Sequence, residues 1–155
     1  MKNQIPIVLL MMFGLVVSAC GKTSRPTPPA APSEPLATES PAVEDKASLI
    51  SALQASGATV ETGEPVSQAF FSPEGSIIKV NGADVQVFEY ESAEAMENEA
   101  AQVSSDGGSI GTTMVTWVAT PHFYKAGRII ALYIGSDAEV LDLLKAALGP
   151  QFAGR

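Results

Sequence analysis

The chain reads as an α+β protein: an antiparallel sheet of about five to six strands with helices packed mainly on one face. Three observations predict this. First, Ile77-Ile78-Lys79-Val80 and Val85-Gln86-Val87-Phe88 flank Asn81-Gly82, a strong signal for two antiparallel strands joined by a tight turn. Second, His122–Lys125 and Arg128–Gly135 flank Ala126-Gly127 in the same way. Third, the later strand of each pair runs into a serine and then an amphipathic helix, at Ser92 and at Ser136, at one constant offset. That offset suggests a β-β-β-α unit used twice, although few residues are identical between the halves.

Taken in order, Asp45 caps a first helix with Leu49, Ile50 and Leu53 on its apolar positions and Gly57 stopping it. Ala58–Glu61 reads as a short strand, Glu64-Pro65 as a break, and Val66–Phe71 as a further strand. Ser72-Pro73-Glu74-Gly75 carries turn residues. In the first hairpin a two-residue loop sets Lys79 opposite Asp84 and Ile78 opposite Val85. Ser92 caps a helix striped by Ala93, Met96, Ala100 and Val103. Ser104–Thr113 is a glycine-rich connection, and Met114–Ala119 reads as a strand. Pro121 suits a strand start or an edge. In the second hairpin an Ala126-Gly127 loop sets Tyr124 opposite Ile129, whereas a bulge at Gly127 changes the pairing. Both registers stay open. Ser136 with Glu139 makes a capping box for a helix striped by Val140, Leu141, Leu144 and Leu148, ended by Gly149-Pro150.

These elements occupy residues 44–155 and predict a single domain. The chain before them has a different chemistry. Ile7–Val17 is unbroken and apolar, Lys2 precedes it, and Val17-Ser18-Ala19 leads to Cys20, the only cysteine. The run is too short for a permanent span and reads as a signal peptide over residues 1–19. Val17-Ser18-Ala19-Cys20 resembles the lipobox of bacterial lipoproteins. The resemblance implies a diacylglycerol on the Cys20 sulfur, cleavage before Cys20, and a protein anchored in the cell envelope on the extracytoplasmic side. Gly21 gives no inner-membrane retention signal, so the choice of membrane stays open. Residues 20–43 follow with six prolines among small and polar residues. They read as a disordered tether that reaches roughly 70 Å at about 3.1 Å per residue.

The domain itself resembles small envelope lipoproteins in stretches such as Gln68-Ala69-Phe70-Phe71, Val80-Asn81-Gly82, Val85–Tyr90 and Pro121-His122-Phe123-Tyr124. No activity comes with that resemblance, so it assigns no catalytic residue.

Seventeen Asp/Glu against nine Lys/Arg give a formal net charge of −8. That excess argues against nucleic acid and against an anionic membrane surface met face-on. With one histidine and one cysteine committed to lipid, no zinc site, metal or cofactor is expected. Asp106–Gly111 lacks the P-loop lysine and precedes a strand, so it reads as a flexible connection. Glu89 and Glu91 share a strand face and read as solvated.

His122 is the single conventional base, and no nucleophile pattern accompanies it. The aromatic group Trp117, His122, Tyr124 and Tyr133, with Phe123 on the opposite strand face, is the candidate ligand- or partner-binding patch. The expected function is therefore a lipid-anchored, non-catalytic binding module. The alternative is a small hydrolase or lyase using His122 with a carboxylate.

Both strand faces are apolar. Phe88, Tyr90, Leu132 and Ile134 are expected beneath the helices from Ser92 and Ser136. Ile78, Val80, Val85, Val87, Ile129, Ala131 and Tyr133 form the second face. The first helix, a second copy of the chain, or a partner could cover it. The expectation is incomplete cover by the first helix, with the remainder binding a partner or a second copy.

Overall fold

A computed structural model describes residues 42–155. The signal-like run, Cys20 and the proline-rich arm up to residue 41 lie outside the described residues. Val43, expected as the last tether residue, is 6% exposed and packs in the core. The domain thus begins slightly earlier than its composition suggests.

Helix α1 (Lys46–Ala55) starts where expected. The Asp45 carboxylate accepts from the Ser48 N–H at 2.9 Å, and Ser48 Oγ accepts from the Asp45 N–H at 2.9 Å. This reciprocal cap satisfies two otherwise orphaned donors. Strand β1 (Val60–Val66) replaces the two short strands expected on either side of Pro65. Its pairing with β2 (Gly75–Val80) shifts register between Thr62 and Pro65. A bulge on an edge strand tolerates a proline, so Glu64-Pro65 bends the strand without ending it. Gln68–Phe71 is a turn, closed by the Phe71 N–H donating to the Gln68 carbonyl at 3.1 Å.

Strands β2 and β3 (Ala83–Glu89) pair as the sequence predicts, with Lys79 opposite Asp84 and Ile78 opposite Val85. Asn81 and Gly82 have φ of 50° and 87°, the pair of left-handed positions that a primed turn requires. Helix α2 (Ala93–Ala100) is capped by Ser92. It ends before Val103, which instead bridges to Ile110.

The 101–120 region departs most from expectation. A separate two-stranded sheet forms from β4 (Ser109–Ile110) and β5 (Thr113–Met114). Residues 115–120 are irregular, so the strand expected over Met114–Ala119 is absent. The second half therefore gives the main sheet only β6 (Pro121–Ala126) and β7 (Ile129–Ile134) before helix α3 (Ala138–Leu148). The β-β-β-α format occurs once, not twice. The turn of this hairpin is Gly127-Arg128, one residue later than expected. Tyr124 consequently faces Ala131, with no bulge. Gly127 has φ +51°, and a Cβ there would overlap the Glu44 backbone, so both conformation and space demand glycine.

The main sheet is fully antiparallel in the order β1-β2-β3-β7-β6-β8, with β8 (Ala153–Gly154) on the β6 edge. Helices α1 and α3 cover one face and α2 the other. The expectation that α2 and α3 share a face fails at the β7–α3 connection. The cap is Asp137 rather than Ser136, with its carboxylate accepting from the Glu139 N–H at 2.9 Å. The cap thus falls one residue later than expected. A Cβ on Gly135 would run into the Tyr133 hydroxyl. Glycine lets the chain pass over that ring to the far side.

Leu49 and Leu53 from α1, with Val140, Leu144 and Leu148 from α3, bury Ile78, Val80, Val85, Val87, Ile129, Ala131 and Tyr133. This corrects the expected open remainder. Val87 is 1% exposed, and α3 fills the area assigned to a partner or second copy. On the opposite face Met96 and Ala100 from α2 pack on Phe88, Ile130 and Leu132. Phe71, Ile110 and Ala153, from loops and short strands, complete that layer.

Candidate functional site

Strand β6 places His122 and Tyr124 on the α3 side and Phe123 on the α2 side, as alternation requires. His122 lies opposite Tyr133 in the ladder. Their rings stack with centroids 6.2 Å apart and planes 22° from parallel. Both imidazole nitrogens are occupied. Nε2 lies 3.1 Å from the Gly135 carbonyl oxygen, which can only accept, so Nε2 carries a proton and donates. Nδ1 lies 2.7 Å from the Gln151 side-chain amide. That amide satisfies it as donor or acceptor according to which of its two ends faces the ring. Among the described residues no carboxylate bonds the ring.

His122, Tyr124 and Tyr133 are 6%, 3% and 5% exposed. The shallow aromatic patch expected from sequence is therefore mostly core. What remains accessible is a cleft of about 310 Å³, where the edges of His122 and Tyr124 meet Leu141, Asp142, Lys145 and Arg155. Burial, and next the negative charge of Asp142, push the Tyr124 hydroxyl above its ordinary value. The phenol stays protonated there and remains a donor. Lys145 has no ion-pair partner among the described residues, and Arg155 reaches Asp106 at 3.8 Å. Two cations and one carboxylate, Asp142, thus border a largely apolar cleft in an acidic protein.

Trp117 lies on the other side of the sheet and does not join these rings. Its indole N–H donates to the Gly107 carbonyl at 2.7 Å, and its ring packs edge-on against Phe70 and Phe123 at 5.9 and 5.8 Å. It lines a second cleft of about 470 Å³ with Asp106, Thr120, Pro121 and Arg155. Arg155 borders both clefts. Asp142, Lys145, Gln151 and Arg155 were not singled out from the sequence. Asp142 and Lys145 sit three apart on α3, a spacing that puts them on one helix face. Nothing local marks Gln151 or Arg155.

The glycine-rich segment is built around Asp106 rather than left as a loose connection. Its carboxylate accepts from the Gly108 N–H at 2.9 Å and from the Ser104 hydroxyl at 2.8 Å. These bonds, with a smaller share from Arg155, hold it below its ordinary value. Glu89 pairs with Arg128 at 2.5 Å, while Glu91 lies beyond the strand and is exposed. They do not form an acid–base couple.

Tyr90 and Ser72 line a third cleft of about 300 Å³ beside these carboxylates. The Tyr90 hydroxyl is buried without a hydrogen-bond partner. Burial, then the charge of Glu99, push it far above its ordinary value.

Among the described residues no nucleophile–base pair is assembled, no cluster of three metal-ligating side chains occurs, and no helix is long and apolar enough to cross a membrane. No family model, curated protein or solved structure matches the chain.

Proposed function

We propose that the chain is an envelope lipoprotein, held by lipid on Cys20, whose domain is a binding module with its ligand site in the His122–Tyr124 cleft. The carrying observation is the cleft itself. Tyr124 and Leu141 line it together with Lys145 and Arg155, against one carboxylate, Asp142, a lining that suits a small ligand with an apolar body and one anionic group. The occupied imidazole favours this reading over the hydrolase or lyase, because a general base needs a free nitrogen aimed at substrate.

The fluorescent probe 1-anilinonaphthalene-8-sulfonate has that chemistry and tests it. It should bind the intact protein with enhanced emission, and Lys145→Glu should weaken binding by about tenfold. Leu141→Asp should weaken it further. Equal binding by all three forms overturns the site. The anchor is tested separately. Labelled fatty acid should be incorporated by the wild type and not by Cys20→Ser, and label in that variant overturns it.

A further inference from the structure

We propose that the 111–120 loop docks on the bilayer, a reading that rests on the lipid anchor proposed above but not on the cleft. Met114 and Val118 are 88% and 97% exposed, the large apolar side chains so displayed among the described residues. Single exposed apolar residues are ordinary. These two share one short loop, and its surroundings are unusual in charge.

Run 107–136 contains no Asp or Glu, in a chain that has 17. The remaining surface is acidic and is repelled by an anionic headgroup layer. Within that run Lys125 and Arg128 are the charged residues, and the carboxylate lining the cleft beside Trp117, Asp106, lies 3.8 Å from the Arg155 guanidinium. Thr112, Thr113, Thr116 and Thr120 are interspersed among the apolar residues, and their hydroxyls suit the headgroup zone.

The loop is also held in place. The Val115 N–H donates to the Gly108 carbonyl at 3.0 Å, and the Trp117 indole N–H donates to the Gly107 carbonyl at 2.7 Å. Little ordering entropy is then lost when the two side chains insert.

The occupant is argued from the anchor. A tethered domain meets its bilayer at high effective concentration, so two inserted side chains suffice where a free protein would need a larger surface.

Trp117, the only tryptophan, reports the contact. The full lipid-bearing chain is reconstituted into phosphatidylcholine vesicles with or without bromine on the acyl chains. Emission should fall about twofold in brominated vesicles, and Met114→Ser/Val118→Ser should abolish the difference while still floating with the vesicles. Flotation without quenching, or quenching unchanged in the double variant, overturns docking and leaves the anchor standing. Failure to float overturns both.

Discussion

The two faces of the sheet are closed by different means. On the α1/α3 face the cover is two helices carrying leucines and valines, and the layer is aliphatic apart from His122, Tyr124 and Tyr133. On the α2 face one short helix covers part of the sheet, and loops supply Phe70, Phe71, Trp117 and Phe152. Phe71 sits 4.8 Å from Phe88, and Trp117 meets Phe123 edge-on. Helices bring periodic apolar stripes that fill a face completely. Irregular chain has no stripe, so a few large rings carry the packing. The helix-covered face should therefore be the more stability-critical. The loop-covered face holds the exposed Met114 and Val118.

The severest break in this comparison is Val87→Asp. Val87 is 1% exposed between β3 and the two covering helices. An unpaired carboxylate there should cost several kcal/mol, about the whole stability of such a domain. The expected outcome is loss of the cooperative melt by circular dichroism. A folded, dimeric variant would show that the face is an interface after all.

A finer comparison sets Leu144→Ala in α3 against Trp117→Ala in the loop. Leu144 is 0% exposed, and its truncation should cost about 2–5 kcal/mol. Trp117 is half-buried, so its truncation should cost only about 1–2 kcal/mol despite the larger ring. Urea melts of both variants measure this directly. The reverse order would mean that the loops, not the helices, carry the fold.

The difference between the faces also explains what could be read from sequence. The first hairpin, with its register, was legible because Asn81-Gly82 specifies turn type and pairing together. The α1 cap was legible because Asp45 and Ser48 act within one turn. The second hairpin slipped by a residue because Ala126-Gly127 names no turn type; the close approach of Glu44 to Gly127, which is non-local, selects it. The side taken by α3 depends on Gly135 passing Tyr133, and no local pattern encodes that. Met114–Ala119 alternates like a strand yet finds no partner in the main sheet, because β8 from the far end of the domain occupies the β6 edge. The candidate site was legible in part: His122 and Tyr124 reach the cleft, but its charged rim comes from α3 and Arg155. Strand alternation is local information, whereas a cleft is made by what packs across it.

Tyr90 gives a smaller test, on the loop-covered face. Its ring is buried with the phenylalanines, but its hydroxyl has no partner. Removing an unsatisfied buried group relieves a desolvation cost, so Tyr90→Phe should stabilise by about 1 kcal/mol. Aliphatic and aromatic positions elsewhere should lose stability on any such change. A destabilised Tyr90→Phe would show that the hydroxyl is paired in solution, with Glu99, which acts on it through both its charge and side-chain hydrogen bonding, as the partner.

The smallest effect concerns acid, and it asks whether the two faces come apart together. Each has one carboxylate held below its ordinary value of 3.8. Asp45 is lowered first by the Ser48 N–H and hydroxyl, with a smaller contribution from Arg128. Asp106 is lowered first by the Gly108 N–H, then by the Ser104 hydroxyl. A carboxyl whose folded pKa lies below its unfolded one contributes stability that is fully present above the unfolded value. That contribution is lost as pH falls through the folded value. Asn keeps much of the capping geometry but cannot titrate. The melting-temperature gap between wild type and Asp45→Asn should thus be constant from pH 7 down to about 5, then shrink below about pH 4. Asp106→Asn should behave alike, since the sign is the same, and the double variant should show the flattest acid limb. If Asp45→Asn alone flattens it, α1 on the helix-covered face is the acid-sensitive element. If only Asp106→Asn does, the acid-sensitive element is the turn beneath Trp117.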